Sequence, residues 1–512
     1  MSSVASALLK NGIGLVRRFD QQHLSPIVLQ KRTLQQLLKR AEGTAFGKHY
    51  QFDQLQLSNR LVSDFQKGVP IHNYDQMFDQ WWSRALEGEP DVCWKGKTKY
   101  FALSSGTSGA NSKYIPVTYD MTRTMRSAGL RMFACLPKYD VPSSLFLKDW
   151  LMVGGTAMLK QMGPCYVGDL SGINARKPPM WIKKFYKPGT QIAKISNWDE
   201  RLKTIAQNAY KWDVGVLTGI PAWVQLTLEY IVDHYKLNHI HELWPNLEIF
   251  VSGGTAFEPY RKSFEALLDR PLILQDSYLA SEGFIAFQDR PDTNAMRLLL
   301  NNGLFFEFIP FSERNFDANG ELKPDPEVLT INHVKENVDY ALLISTCAGA
   351  WRYLIGDTIR FTDLGRSEII ITGRTKHFLS ICGEHLSVDN MNTAMIRTEQ
   401  ELQISIREFT VSGVEDGTHH AHRWYIGCDD AVKSKMLAST LDRHLKEVNA
   451  DYNSERDAML GTPQVEIIPT SLFYDWQRHQ GKMNGQSKVA RVMDRERFAE
   501  WEKFIDSHKI IS

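Results

Sequence analysis

The chain has 512 residues, of which 43% are apolar and 11% aromatic, the composition of a well-cored globular protein. Its 60 basic and 59 acidic residues leave a net charge of +1, without the basic excess that a nucleic-acid binder needs to neutralise phosphates. No run nears the roughly 18–20 uninterrupted apolar residues that span a bilayer, and length alone suggests about three domains.

Residues 4–16 form an apolar patch interrupted by Lys10 and followed by Arg17 and Arg18. A signal peptide carries its positive charge first, so the patch reads as an amphipathic helix in a cytoplasmic protein. The 6 cysteines (Cys93, Cys135, Cys165, Cys347, Cys382 and Cys428) include no C-x-x-C pair, which fits scattered core thiols in a reducing compartment. Up to about residue 99 the pattern is helical. Residues 99–103 and 113–117 then read as strands around a Ser/Thr/Gly/Asn loop at 104–112. Residues 214–217 form a buried-type strand, broken at Gly219, and Pro221 is placed to start a helix running to about Tyr235. An apolar strand over 247–251 leads through Ser252, Gly253 and Gly254 into a helix. Asn302-Gly303 between apolar runs predicts a hairpin. Strands dominate to about residue 372. Beyond Gly373, Met436, Leu437, Leu441, Leu445 and Val448 mark a helix among the short strands 409–412, 424–428 and 465–468, a compact α+β module. His419, His420 and His422 follow Asp416-Gly417 without a nearby cysteine, and read as solvated loop histidines rather than metal ligands.

Three stretches carry chemistry. Ser104, Ser105, Gly106, Thr107 and Ser108, with Lys113 beyond them, make a loop of small donors able to close on phosphate oxygens. It is not a Walker loop, because Lys113 does not directly follow a glycine and a strand, not a helix, comes next. A polar surface loop and the Ser/Gly-rich loop of a serine amidase stay open on composition alone. In 275–282, Tyr278 offers an aromatic face to a base and Glu282 a hard oxygen ligand for Mg²⁺; alone, such a glutamate also reads as a surface residue. In 351–357, Asp357 at a glycine turn either accepts from ribose hydroxyls or caps the local backbone.

Taken in order, the 104–113 loop, the Gly253-Gly254 turn, and segments 278–282 and 353–357 resemble the nucleotide motifs of the Gretchen Hagen family. These are the auxin-responsive acyl-acid amido synthetases, within the superfamily of acyl-CoA synthetases, adenylation domains and luciferases. Segments 41–52, 69–71 with Tyr74, and 482–491 also look familial, so the resemblance covers essentially the whole chain. It implies an α/β fold: a large N-terminal α/β body with a β subdomain, the adenylate-forming enzyme fold, plus a small mobile α+β C-terminal domain. Residues 1–373 would bind nucleotide and acyl group, and residues 374–512 would form a cap carrying the catalytic lysine.

Residue by residue, the resemblance implies ATP contacts from Ser104, Ser105, Gly106, Thr107, Ser108, Lys113, Gly253, Gly254, Tyr278, Ser281, Asp357 and Arg374. It places Mg²⁺ at Glu282 and the catalytic role at Lys488, in preference to Lys482. Gly373, Arg374, Thr375 and Lys376 match the interdomain hinge. Gly219 to Trp223 and Met152, Met158 and Met162 fall by family position near the acyl pocket, although methionines serve equally as core filler. Ala110 stands where the family has its second glycine, Leu354 where plant members carry arginine, and Leu279 and Ala280 replace their small or hydroxyl residues. The plant substrates therefore do not transfer. The implied activity is ATP-dependent adenylation of a small-molecule carboxylic acid and acyl transfer to an amino acid, with no membrane span or obligate protein partner. Alternatives are an acyl-CoA ligase and a non-catalytic nucleotide-binding relative; retention of Glu282, Asp357 and Lys488 together disfavours the latter.

Overall fold

The structure is a computed structural model that describes residues 24–104, 113–175, 183–317, 320–376, 378–379, 384, 386–416, 419–458, 460–481, 483 and 487–509. The opening patch at 4–16, Cys382 and the loop 105–112 lie outside the described residues. The first described helix, Pro26–Ala41, starts on a proline and ends with Lys39 and Arg40, both favourable for the helix dipole. Its buried face reaches a distant strand through Gln30, whose Nε2 donates to the Leu300 and Leu304 carbonyls at 2.7 and 3.1 Å. Helices then continue to Leu86.

An eleven-stranded sheet organises the body. Tyr186–Lys187, Asp149–Val153, Val214–Gly219, Ile249–Gly253 and Ile273–Ala280 run parallel, side by side. Along these strands the side chains alternate between two cores, as the two-residue period demands. Val216, Ile249 and Val251 pack with Met121, Met125 and Met132 of the helix Tyr119–Cys135. Leu217 and Phe250 pack on the other face with the helices Trp198–Ala209 and Pro221–Tyr235. From Ile273–Ala280 onward the sheet turns antiparallel, through Gly283–Phe287, Met296–Leu298, Glu368–Arg374, Tyr353–Asp363 and Asp339–Thr346 to Leu304–Pro310. A parallel half thus joins a strand-rich half along one strand.

A second sheet of four strands holds Tyr100–Ser104 against Lys113–Val117, with Ser104 opposite Lys113. Ser104 and Lys113 therefore stand at the open end of an antiparallel pair. Beyond Arg374, Ile406–Asp416, His419–Cys428 and Gln464–Ile468 make a separate three-stranded sheet, packed with the helices Val388–Leu402 and Ser434–Val448. The five described cysteines are free and buried. Among the described residues no helix is long and apolar enough to cross a membrane.

Two local expectations change. Gly303 does turn, with φ of +75°, but Met296–Leu298 and Leu304–Pro310 are not partners. The Gly303 carbonyl instead accepts the Cys347 amide at 3.0 Å, so distant groups hold this turn and no hairpin ladder forms. As expected, Gly254 leads into a helix, Arg261–Glu265, by way of the short turn Glu258–Tyr260. His420 and His422 sit on a strand, not a loop; His422 is 1% exposed and its Nε2 lies 2.8 Å from Glu384. No metal-binding cluster occurs among the described residues.

Candidate active site

The site forms where the parallel and antiparallel halves of the sheet meet, at the carboxyl ends of the parallel strands, the usual ligand position in such sheets. Register aligns Val153 with Gly219, Gly219 with Ser252, and Gly253 with Ser277, so these ends make one continuous rim. Glycines are required there by space. A Cβ on Gly253 would stand 2.7 Å from the Ser277 hydroxyl, and Gly254 has φ of +87°.

Ile273–Ala280 and Gly283–Phe287 pair tightly enough that Ser281 and Glu282 form the two-residue turn between them. This turn buries Glu282 to 7% exposure, so it is no surface glutamate. Burial first, and the nearby Asp357 second, push its carboxyl up to about 7 against the pull of Arg374 and Lys113. No ion pair reaches it among the described residues. Tyr278, on the same strand, is also buried and donates its hydroxyl to Asp357 Oδ2 at 2.5 Å. That hydrogen bond fixes the orientation of its ring. Asp357 Oδ1 pairs with Arg374 Nε at 3.1 Å across adjacent strands, where the two residues are register partners.

Ser104 and Lys113 stand at the mouth of their hairpin. The segment 69–71 is fixed beside them by a buried ion pair: Arg352 Nη2 lies 3.1 Å from Glu307, and Arg352 Nη1 donates to the Gln66 and Val69 carbonyls at 2.7 Å. That anchoring sets Tyr74, whose hydroxyl accepts the Tyr114 amide at 2.9 Å and whose ring lies 5.2 Å from Lys113 Nζ. Desolvation, then Arg374, hold the Lys113 ammonium below its usual range, while Glu282 opposes them.

Lys488 arrives from the other side. Trp223 Nε1 donates to the Ser487 carbonyl at 2.7 Å, and the position of a Cβ on Gly254 is 3.5 Å from Lys488 Cε. The residue is exposed, yet desolvation of its ammonium lowers its pKa, with Asp357 opposing and Arg374 adding to the shift. Its segment is held by a buried network that sequence reading missed. Tyr260 donates to Glu408 Oε1 at 2.8 Å, and Arg491 Nη1 donates to Glu408 Oε2 at 2.7 Å. Arg491 also lies 4.4 Å over the Phe409 ring. The available signal was Arg491 itself, at the end of the 482–491 tail.

The structure therefore brings Ser104, Lys113, Gly253, Gly254, Tyr278, Ser281, Glu282, Asp357, Arg374 and Lys488 around one cleft. Ser105, Gly106, Thr107, Ser108 and Lys482 lie outside the described residues. Met152 lines a cavity beside this rim, whereas Met158 and Met162 are 58% and 39% exposed and so are not core filler. Lys376 contacts Glu321 on the surface.

Residues 15–154 match the GH3 family N-terminal domain, 297–368 its central domain and 389–497 its C-terminal domain. The chain belongs to the GH3 family. Similar curated relatives include the jasmonoyl–L-amino acid synthetase JAR4 of Nicotiana attenuata, 27% identical over 46% of this chain and 42% of that protein. Another is the probable indole-3-acetic acid-amido synthetase GH3.9 of Oryza sativa subsp. japonica, 23% identical over 50% of this chain and 62% of that protein. The chain spans about half the length of the curated relatives it matches. Among solved structures, the GH3.15 acyl acid amido synthetase superposes with a TM-score of 0.79 at 17% identity, covering 97% of this chain and 96% of that one. A 2-hydroxyisobutyryl-CoA ligase in its postadenylation state, bound to 2-HIB-AMP, gives 0.62 at 13% identity over 93% and 91%. At these identities the likeness shows the fold, that of adenylate-forming enzymes with an N-terminal body and a C-terminal domain.

Proposed function

We propose that this GH3 family chain is an ATP-dependent ligase that adenylates a carboxylic acid and passes the acyl group to the amine of an amino acid. The observation that carries the reading is the meeting of Lys488 with the Glu282, Asp357 and Arg374 cluster on the rim of Gly253 and Gly254. A carboxylate must approach the α-phosphorus of a polyanion, and the reaction is slow unless positive charge is placed in advance where negative charge develops. Lys113 and Lys488 supply cations to phosphate oxygens from opposite sides of the cleft, and the hydroxyl loop beginning at Ser104 supplies donors. Asp357, oriented by Tyr278 and Arg374, has acceptor capacity left for ribose hydroxyls.

The residues fit a divalent cation at Glu282, a buried carboxylate with no cationic partner among the described residues and a pKa raised to about 7. A bound Mg²⁺ would supply charge neutralisation to the phosphates. The acid's oxygen forms the bond to the α-phosphorus and pyrophosphate leaves. The amine then attacks the acyl carbon, and AMP departs with the amine proton lost to solvent. The proposed division is residues 1–373 and 374–512, with the smaller part turning about Lys376 between the two half-reactions to withdraw Lys488.

The test is carboxylate-dependent exchange of labelled pyrophosphate into ATP over a panel of acids, followed by mass spectrometry with amino acids or CoA as acceptors. Exchange with a subset of acids and an amide product support the reading. A thioester with CoA and no amide would make the chain a CoA ligase, and ATP binding without exchange would make it a non-catalytic relative.

A further inference from the structure

The helix Trp198–Ala209 carries an arginine where its pattern calls for core. Trp198, Arg201, Leu202, Ile205, Ala206 and Ala209 share its buried face, so helical spacing carries Arg201 inward with the apolar residues. Arg201 is 2% exposed, its Cζ lies 4.7 Å from the Trp198 ring centre, and its Nε and Nη2 have no hydrogen-bond partner. It lines a cavity of about 20 Å³ together with Met152, Gly155, Ser171 and Tyr186. That volume admits one small group rather than a whole substrate.

Among the described residues, no acceptor meets Arg201 Nε or Nη2. Asp169 exerts an attraction on it, but Asp169 Oδ2 accepts the Thr156 amide at 3.2 Å and is wedged against Gly155, where a Cβ would stand 2.2 Å from it. Tyr186 also lines the cavity, and its hydroxyl donates to the Met152 sulfur at 3.6 Å, a weak acceptor. Burial pushes the Tyr186 phenol up to about 12, so it stays a donor at neutral pH. A buried guanidinium with idle donors is costly, and a planar anion that takes two of them offsets that cost.

The cavity's position relates it to the reaction. Met152 and Val153 end the strand whose Val153 aligns with Gly219, which in turn aligns with Ser252. The strand end that lines the cavity thus lies two strands from Gly253 and Gly254, or about 10 Å at the usual strand spacing. We propose that Arg201 and Tyr186 form a carboxylate subsite, and that its occupant is the far carboxylate of the acyl substrate, which is therefore a dicarboxylic acid activated at one end and held at the other. This rests on the adenylation reading above. The same subsite chemistry would also take the α-carboxylate of an amino acid, and the test separates the two sources.

Calorimetry on the full chain measures binding of straight-chain dicarboxylates of graded length, of length-matched monoacids, and of amino acids. The expected result is that one length of dicarboxylate binds about tenfold or more tightly than its monoacid. Arg201→Gln should erase that ratio, while Arg201→Lys and Tyr186→Phe should reduce it. Equal or weaker binding of every dicarboxylate by the unmodified chain overturns the proposal, and this comparison needs no variant to fold. If Arg201→Gln weakens amino acids instead, the dicarboxylate assignment is overturned and the carboxylate belongs to the acceptor. The readout uses no ATP turnover. Absence of pyrophosphate exchange with every acid would overturn the adenylation reading, while the binding ratio would still judge Arg201.

Discussion

Lys488 and Glu282 face the same cleft but answer to different tests. Lys488 is 134 residues beyond the strand residue Leu354 in sequence, yet its ammonium responds to Asp357 and Arg374, so removing it should damage the step in which charge builds at phosphorus. For Lys488→Ala, adenylation should fall by about 10²–10³, the usual loss for one preorganised charge-stabilising donor. Amide formation from supplied acyl-adenylate should persist, and separate assays of the two half-reactions check this. Equal loss in both would remove the assignment. Glu282 makes a pH statement. Its metal-free pKa of about 7 lies above the ordinary 4.5, so the proton is bound more tightly in the folded chain. That contribution to stability is fully present below about pH 4.5 and is lost as pH rises through 7. On the proposed reading, protons and a divalent cation compete for this one carboxylate. The Mg²⁺ concentration for half-maximal exchange should fall as pH rises from 6 to 8, and Glu282→Gln should flatten that dependence. Tyr278, Glu282 and Asp357 were legible because short motifs in a fixed order signal one chemistry. Arg201 was not: an arginine within an apolar helical face looks like a tolerated surface residue until the packing shows that, among the described residues, no acceptor meets its Nε or Nη2. His422 was misread for a related reason, since a polar segment between strands gave no sign that Glu384 would meet it in the core.

Elements with strong local grammar were read closely. Pro221 starts its helix and Tyr235 ends it, because proline suits the first turn and the apolar spacing needs no tertiary help. The hairpin inferred at Asn302-Gly303 failed because a turn dipeptide specifies backbone shape, not which strands pair across it. Long-range anchors such as Gln30 decide that, and they leave no local mark. Another such anchor is Arg352, 4% exposed against a fully buried Glu307, which ties the segment 66–69 to the sheet. Arg352→Met should destabilise the chain by about 3–5 kcal/mol by stranding the Glu307 charge. Urea unfolding checks the value, and adding Glu307→Leu should restore part of the loss. If Arg352→Met alone proved neutral, the pair would not be what fixes Tyr74 beside Lys113.

Across the whole molecule, near-zero net charge conceals a local concentration of cations where the two halves of the sheet meet. Lys113, Arg374 and Lys488 come from three separate stretches of chain, and only the fold gathers them with Glu282 and Asp357. The Tyr260, Glu408 and Arg491 network seats the Lys488 segment from behind, joining the short turn after Gly254 to the C-terminal sheet. The order of motifs pointed to the family. How the C-terminal segment meets the body was illegible, because contacts between residues 260 and 491 have no local pattern. The central claim is that an oxygen of the acid attacks the α-phosphorus of ATP. Its most direct test uses an acid carrying ¹⁸O at both carboxylate positions, turned over with ATP and an amino acid, with mass analysis of the products. The account predicts one heavy oxygen in AMP and one retained in the amide. Label in inorganic phosphate alongside ADP, or amide formed with unlabelled AMP, would contradict it.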